Sequence, residues 1–486
     1  MIEPERTTAG GSIPITVPTL SQNTLGVVDL PAISLFSNCG AGDLGFRRAR
    51  FQFLLMAELL SERLEICRWN HQDFEDARTL PEENFVEGDL RTTWKEVCGR
   101  WKITMGEEAS PALLSACPPC QGMSTARSGI GRGNDLESGD QDERNLLVEV
   151  IADVTRCLKP KLVVVENVPA FLTRQVPHPK SGEGISAARL LCEDLSGNYI
   201  PFPFLVDMAD YDIPQHRQRT FITFVRRDQD FLTHLREAGK HPYPKPAAER
   251  VELGDFLEEE DFTELDSHQN TNGEDKMHVV PSLPEERCRL ISAISEPGGS
   301  AWENGCDNCG ADDIGEDAAL CPECEEVLPR PTTEGENGPR LIKGFRRSSY
   351  RRMPLDAPAP TVTTASNRVG SDYTIHPTEN RLMSPKECAR LQKFPKDFRW
   401  RDSDTDVHAI DKFGVGMVRE VIGEAIPPEF TRQHGEVLAN LLKGNLEEVE
   451  LIASGDERCT KAEEKLGLER SLFGDRASPS SSIPQS

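Results

Sequence analysis

Cys117-Pro118-Pro119-Cys120-Gln121 is the stretch of this chain best equipped for chemistry. It follows Ala112–Ser115, an apolar run short enough to be a buried strand. The double proline ends that strand, because proline donates no ladder hydrogen bond and fixes its own φ. Cys120 is thereby set on a stiff turn at a strand's C-terminal end, where open α/β sheets keep their chemistry. A thiolate there could attack an electrophile, although a cysteine taken alone is more often a small buried hydrophobe. Its company shifts the balance. A strand over Phe53–Ala57 ends at Glu58, 22 positions after Phe36, near the spacing at which a strand-end carboxylate binds ribose hydroxyls. Phe85–Gly88 ends at Asp89, and Leu162–Val165 runs into Glu166-Asn167-Val168. Each acid alone could be a helix cap or a solvated loop residue. Two at successive strand ends, beside a turn containing Gly40, predict an adenosine site.

The elements that must position these groups alternate along the chain. Ala32–Phe36 reads as a strand, and Ser37–Gly42 is a small-residue turn that opens a helix, the start of a nucleotide-binding unit. A helix over about 59–69 follows the second strand. Thr125–Gln141 has four glycines and few apolar residues, the composition of either a disordered segment or a mobile functional loop. Apolar spacing from Leu146 to Val154 predicts a helix, and Leu162–Val165 is a buried parallel strand. A helix around 183–196, a strand over Tyr199–Val206 and a strand over Thr220–Val225 complete a doubly wound α/β domain. After 228 the pattern dissolves into proline and acid runs until about 378. Regular structure returns at Ser384, an N-cap with Pro385 in the first turn and Glu387 at the capping-box position. A helix is expected around 428–443, and Ala477–Ser486 reads as disordered.

Inside the irregular region, Cys306-x-x-Cys309 and Cys321-x-x-Cys324 form two knuckles with eleven residues between them. Two C-x-x-C pairs can complete a four-thiolate tetrahedral site, which predicts a structural zinc ribbon at about 303–328, against four unrelated thiols. Net charge is −26, with ten acids and one lysine over residues 251–278. Net charge speaks to solubility rather than to a local site, and residues 340–352 hold six basic groups and no acid. No apolar run approaches the roughly 20 residues of a membrane span. The N-terminus has no basic-then-apolar leader, and fourteen cysteines in such a chain suggest reduced thiols. A cytoplasmic protein is the expectation.

The order of these motifs (small-residue turn, Pro119-Cys120-Gln121, Glu166-Asn167-Val168, Gln215-x-Arg217-x-Arg219, Arg390-Leu391-x-x-Phe394-Pro395, Gly423-x-Ala425-x-Pro427-Pro428) resembles the DNA (cytosine-5)-methyltransferases. The resemblance covers about residues 32–226 and 381–430. It implies a Rossmann-like methyltransferase sheet with a smaller, irregular target-recognition domain carrying the inserted ribbon. On that reading residues 1–30 are a lead-in, 31–227 catalytic, 228–380 target-recognition, 381–450 a return to the catalytic domain, and 451–486 a tail. Cys120 would be the nucleophile that adds to cytosine C6, since C5 is too electron-poor to attack a methyl donor unaided. Glu166 would meet N3 and the exocyclic amine, Asn167 would hold the Pro-Cys turn, Arg219 would contact the base near O2, and Arg217 would meet backbone phosphate. The target base must leave the stack, with Ser124, Arg127 and Arg132 on the loop that closes over it. Arg346, Arg347, Arg351 and Arg352 would contact the DNA backbone.

The implied cofactor is S-adenosyl-L-methionine, with Phe36 on adenine, Glu58 on the ribose and Asp89 on the adenine amine. Asn38, Gly40, Pro119, Leu147 and Glu424 would line the remainder. Two departures stand out: Asn38 and Ala41 replace glycines, and Glu424 replaces an asparagine. A carboxylate at Glu424 could pair with the amino group of the methionine moiety or repel its carboxylate. The partner is double-stranded DNA, read by a monomer on the nucleoid, with a restriction or phage-defence system as a further candidate partner. Two other readings fit parts of the pattern: a tRNA-directed enzyme of the same fold, and a non-catalytic DNA-binding protein on a dead methylase scaffold. Gly122-Met123-Ser124 and the large insertion favour DNA over tRNA, and the joint presence of Cys120, Glu166 and Arg219 speaks against a dead scaffold.

Overall fold

The computed structural model describes residues 29–73, 79–119, 147–260, 262–265, 275–345 and 348–468. The first half alternates strand and helix: β1 (Pro31–Leu35), α1 (Ala41–Arg48), β2 (Gln52–Glu58), α2 (Ser61–His71), β3 (Phe85–Glu87), α3 (Leu90–Met105), β4 (Leu113–Ala116), α4 (Leu147–Leu158) and β5 (Leu162–Asn167). A small hairpin of β6 (Gln175–Pro177) and β7 (Gly184–Ser186) precedes α5 (Ala187–Leu195), β8 (Tyr199–Asp207) and β9 (Gln218–Arg226). Seven strands form one sheet in the order β3-β2-β1-β4-β5-β9-β8. Pairing is parallel from β3 to β5, while β9 runs antiparallel between β5 and β8. The chain therefore reverses its winding at β1, and the strand ends beside that switch point form the crevice where α/β sheets hold ligands.

Both faces of the sheet are covered, which is why β5 is buried along its whole length and reads as a β-branched run without alternation. On one face Phe46, Phe53, Phe202, Phe221 and Phe430 share a core; on the other Leu35, Val97, Ile151, Val163 and Leu191 share a second. The first core depends on a backbone-close crossing of α1 with α11 (Pro428–Lys443). A Cβ on Gly45 would lie 2.0 Å from Thr431 Oγ1 and 2.1 Å from Pro428 O, so no larger residue fits there.

Between β9 and α11 the chain forms α6 (Phe231–Ala238), β10 (Lys240–Pro244), α7 (Leu253–Glu260), α8 (Glu285–Ser292), the hairpin β11 (Thr332–Gly335) and β12 (Gly338–Leu341), α9 (Pro385–Leu391) and α10 (Ala409–Glu424). Ser384 and Glu387 make the expected capping box on α9. Phe413–Gly416 and Val421–Glu424 lie within α10, whose helix is interrupted where Gly414 takes φ 85° and ψ 153°.

Two expected boundaries are corrected. Phe231, Leu232, Leu235 and Tyr243 sit in the catalytic core rather than in the insertion, because β10 pairs with β13 (Leu451–Ala453). Residues 451–468 are likewise no tail. They form β13 and α12 (Glu457–Leu466), with Cys459 in one core and Ala462 in the other. That helix lies against the edge strand β8 and shields it from foreign pairing. Residues 477–486 lie outside the described residues.

Candidate active site at the strand ends

One cavity of about 1240 Å³ opens at the C-terminal ends of β1 to β5. The loop after β1, the carboxylates after β2 and β3, the Pro118-Pro119 turn after β4 and the end of β5 all line it. Antiparallel β9 brings its first residues, Gln218 and Arg219, and Arg217 just before them to the same edge. The last wall comes from Thr361–Thr364 of the insertion and from Gly423–Ile426 at the end of α10.

Glu166 is held from two sides. It is buried, with Oε1 3.0 Å from Arg219 Nε. Its other oxygen accepts from the Cys117 thiol at 2.8 Å. Asn167 donates from Nδ2 to Pro118 O at 3.0 Å and accepts from the Val168 amide at 2.8 Å, which ties the end of β5 to the proline turn. Cys120, Ser124, Arg127 and Arg132 lie outside the described residues.

The other end of the cavity is built from an unusual turn. Phe36, Asn38 and Gly40 take positive φ values of 57°, 47° and 74°. Asparagine tolerates this region. Gly40 is required on a second ground: a Cβ there would lie 2.6 Å from His71 Nε2, the nitrogen that bonds Gly40 O at 2.9 Å. Burial lowers the His71 pKa to about 3, so the ring is neutral. Glu58 accepts from the amides of Asn38, Leu59 and Leu60. Burial lifts its carboxyl above the usual range, and those amides and Arg63 hold it down. Asp89 caps α3 through the Arg91 amide and is gripped by the Arg91 guanidinium, which depresses its pKa. The cap and the ligand reading thus fall on the same residue. Leu147, at the start of α4, lines the cavity too.

Residues 30–440 match the family described as C-5 cytosine-specific DNA methylase. The chain belongs to that family. Among its relatives, a Type II methyltransferase M1.HgaI from Avibacterium volantium is 24% identical over 412 residues, covering 82% of this chain and 95% of that one. A Type II methyltransferase M.AgeI from Thalassovita gelatinovora is 26% identical over 467 residues, covering 84% and 99%. A crystal structure described as a DNA modification methyltransferase encoded within an E. coli prophage shares the fold, with a TM-score of 0.50 and 18% identity over 85% of this chain and 99% of that one. The activity is that of a DNA (cytosine-5)-methyltransferase, and the tRNA-directed and non-catalytic readings lose their ground.

Within the methylase several expected roles move. Arg217 cannot meet a phosphate as placed, since it is 1% exposed and donates to the carbonyls of Val362, Gly423 and Ala425. It fastens the insertion and the end of α10 to the sheet. Arg352 of the basic run is buried as well, with Ile291 O, Ile294 O, His376 O, Glu379 O and Asn380 Oδ1 around its guanidinium, so it is a core tie rather than a DNA contact. Arg351 pairs with Glu303 at 3.1 Å, and Arg346 and Arg347 lie outside the described residues. Glu424 is answered by a residue that sequence reasoning missed: Arg63 of α2 donates to it at 2.5 Å and to Glu420 at 2.9 Å. Asp43 was missed too, because an acid in a helix's first turn carries no spacing signature. It is buried in the cavity wall, accepts from Ser34 Oγ at 2.7 Å, and burial raises its pKa to about 7.

The four ribbon cysteines converge. Their sulfurs all lie within 4.8 Å of one another, with Cys306–Cys324 at 3.5 Å and Cys309–Cys321 at 3.6 Å. A tetrahedron with metal–sulfur arms of about 2.3 Å has edges of about 3.8 Å, so the donor set fits. The two knuckles share one turn geometry: Gly310 N donates to Cys306 O and Glu325 N to Cys321 O, each at 2.9 Å. Arg330 gathers the carbonyls of Asn304, Ile314, Gly315 and Ala318. Arg289 of α8 clamps Asp307 from outside.

Among the described residues no helix is long and apolar enough to cross a membrane.

Proposed function

We propose that this methylase modifies C5 of a cytosine flipped out of duplex DNA at a specific sequence, through a covalent adduct between Cys120 and C6. The observation that carries the reading is Glu166, buried and held from two sides by Arg219 and Cys117 beside the Pro118-Pro119 turn. Thiolate addition at C6, with a proton delivered at N3 by Glu166, turns C5 into an enamine-like carbon that can attack an electrophile. Arg219 orients that carboxyl and lies where charge develops on the ring. The C5 proton then passes to solvent while the Cys120 thiolate leaves C6, and N3 returns its proton to Glu166, which restores the aromatic ring and frees the enzyme.

The cavity fits S-adenosyl-L-methionine. Asn38 lines it, with Oδ1 buried and without a hydrogen-bond partner, whereas Gly40, expected at the cofactor, turns its Cβ side to His71 and Cys67 instead. Phe36, Glu58 and Asp89 would hold the adenosine, with Asn38, Pro119, Leu147 and Glu424 at the methionine end. When bound, the cofactor supplies the electrophilic methyl group. Zinc would occupy the four-cysteine cluster as a structural ion, since four protein thiolates leave no open position for catalysis. The insertion would read the sequence, with Arg346 and Arg347 on phosphate and the 125–141 loop over the flipped base. The Type II relatives support a modification role beside a restriction or defence partner, in the cytoplasm.

Bisulfite sequencing of DNA from cells expressing the chain tests the reading. Protected cytosines within one short recurring sequence are expected, and Cys120→Ser must abolish them. Protection that survives this substitution overturns the mechanism.

A further inference from the structure

Arg63 and Glu424 stand as adjacent opposite charges on the wall of the cofactor cavity. The pair joins α2 to α10 next to Asn38, whose side-chain amide donates to Val421 O on α10 at 3.3 Å. Arg63 is 11% exposed and Glu424 24%, so both are largely desolvated yet reachable from the cavity. Glu420 takes the second arm of Arg63 at 2.9 Å, and Glu58 lies close enough to act on Arg63 electrostatically. Three carboxylates thus surround one guanidinium. A wall of this composition has negative charge to spare for a cation and one rigid fork for a carboxylate. Asn38, on the same wall, keeps Oδ1 buried and unsatisfied.

We propose that Arg63 and Glu424 recognise the zwitterionic end of the cofactor by exchanging partners. Arg63 takes the α-carboxylate, and Glu424 with Asn38 Oδ1 takes the α-ammonium group. The proposal rests on the cofactor reading above and deepens it. It gives the glutamate a function where the resemblance implied an asparagine: the acid is tolerated because the chain also carries Arg63, and the two serve as a matched receptor for an amino acid's two charges. Glu420 keeps one arm of Arg63 in place while the other changes hands.

Equilibrium dialysis against S-adenosylhomocysteine and 5′-methylthioadenosine tests this, because the second compound keeps the nucleoside thioether and lacks the amino-acid end. The wild-type chain should bind the first more tightly. Arg63→Gln and Glu424→Gln should each weaken S-adenosylhomocysteine about tenfold or more, the loss of a charge-assisted contact, and leave methylthioadenosine within about twofold. A preference that neither substitution changes would overturn the proposal, as would a parallel loss for both compounds, which marks a mere interhelical brace. The double variant R63Q with E424Q, which removes one of the carboxylates that R63Q leaves without a cation, should recover melting temperature lost by R63Q without recovering S-adenosylhomocysteine affinity. Recovery of both would overturn the proposal. Wild-type protein that binds neither compound would sink the cofactor reading itself, whereas equal affinity for the two would sink this inference alone.

Discussion

Arg219 Nε stands 3.0 Å from Glu166 Oε1 across the antiparallel seam between β5 and β9. Glu166 is in register with Phe221, so Arg219, two residues earlier on β9, points to the same side and reaches the carboxylate diagonally. Only the antiparallel placement of β9 brings its first residues to the cavity edge of the sheet. Glu166→Gln preserves shape and should leave the fold intact while lowering methyl transfer by about 100-fold or more, as expected for a lost proton donor. Arg219→Ala should cost both activity and about 3 kcal/mol of stability, because it leaves a buried carboxylate without its cation. Methyl-incorporation kinetics and urea midpoints for the two variants separate these outcomes, and a fully active Glu166→Gln would refute the assignment.

Arg217 gives the opposite expectation. Its guanidinium satisfies three carbonyls from two segments, a fork geometry that lysine cannot copy. Arg217→Lys should lower stability by about 2 kcal/mol and leave the salt dependence of DNA binding unchanged. A fall of about one in the slope of log affinity against log salt would reinstate a phosphate contact.

Asp43 makes stability depend on pH. Its carboxyl is raised from 3.8 to about 7 by burial, with Ser34 and Ser115 hydrogen bonds pulling the other way. Between those values the folded chain keeps a proton that the unfolded chain has released, so stability falls as pH rises through the window. The full loss is about 4 kcal/mol. Asp43→Asn should flatten this slope, and urea midpoints at about pH 4.5 and about pH 7.5 would show it. Parallel wild-type and variant curves would show that Asp43 does not titrate in that range.

Metal removal should act on the insertion and spare the cofactor end. A chelator able to strip a thiolate site, or Cys309→Ser, should release one zinc per chain and abolish sequence-specific DNA binding. Binding of 5′-methylthioadenosine should persist, since Cys306, Cys321 and Cys324 share their small apolar cluster with Leu328, Ala311, Ile314 and Ala318 and not with the sheet. Intact DNA binding by a chain shown to be metal-free would remove the structural role.

Much of the fold was legible because its signals are local. The apolar run of β5, the box at Ser384 and Glu387, and the paired C-x-x-C knuckles are each set by neighbours a few residues away. The edges of the insertion were not legible. Phe231–Pro244 and Leu451–Leu466 carry mixed compositions, and their burial depends on β10 and β13, more than 200 residues apart, finding each other. Composition cannot announce such a pairing, whose benefit comes from the shared core beneath it.

The site divides in the same way. Spacing pointed to the strand-end acids Glu58 and Asp89, and the order of motifs, through the family resemblance, pointed to Cys120 and Glu166, because strand ends and proline turns are local features. Tertiary structure alone decided how the arginines divide. Arg217 lies just before β9 and Arg219 is its second residue, and what separates them is tertiary contact: Arg217 meets the carbonyls of Val362, Gly423 and Ala425, and Arg219 meets the buried carboxylate of Glu166. Arg352 went to the core for the same kind of reason. Glu424 read as a departure until Arg63, 361 positions away, proved to be its partner. A charge's role depends on the solvent and counter-charge around it, and the fold supplies both.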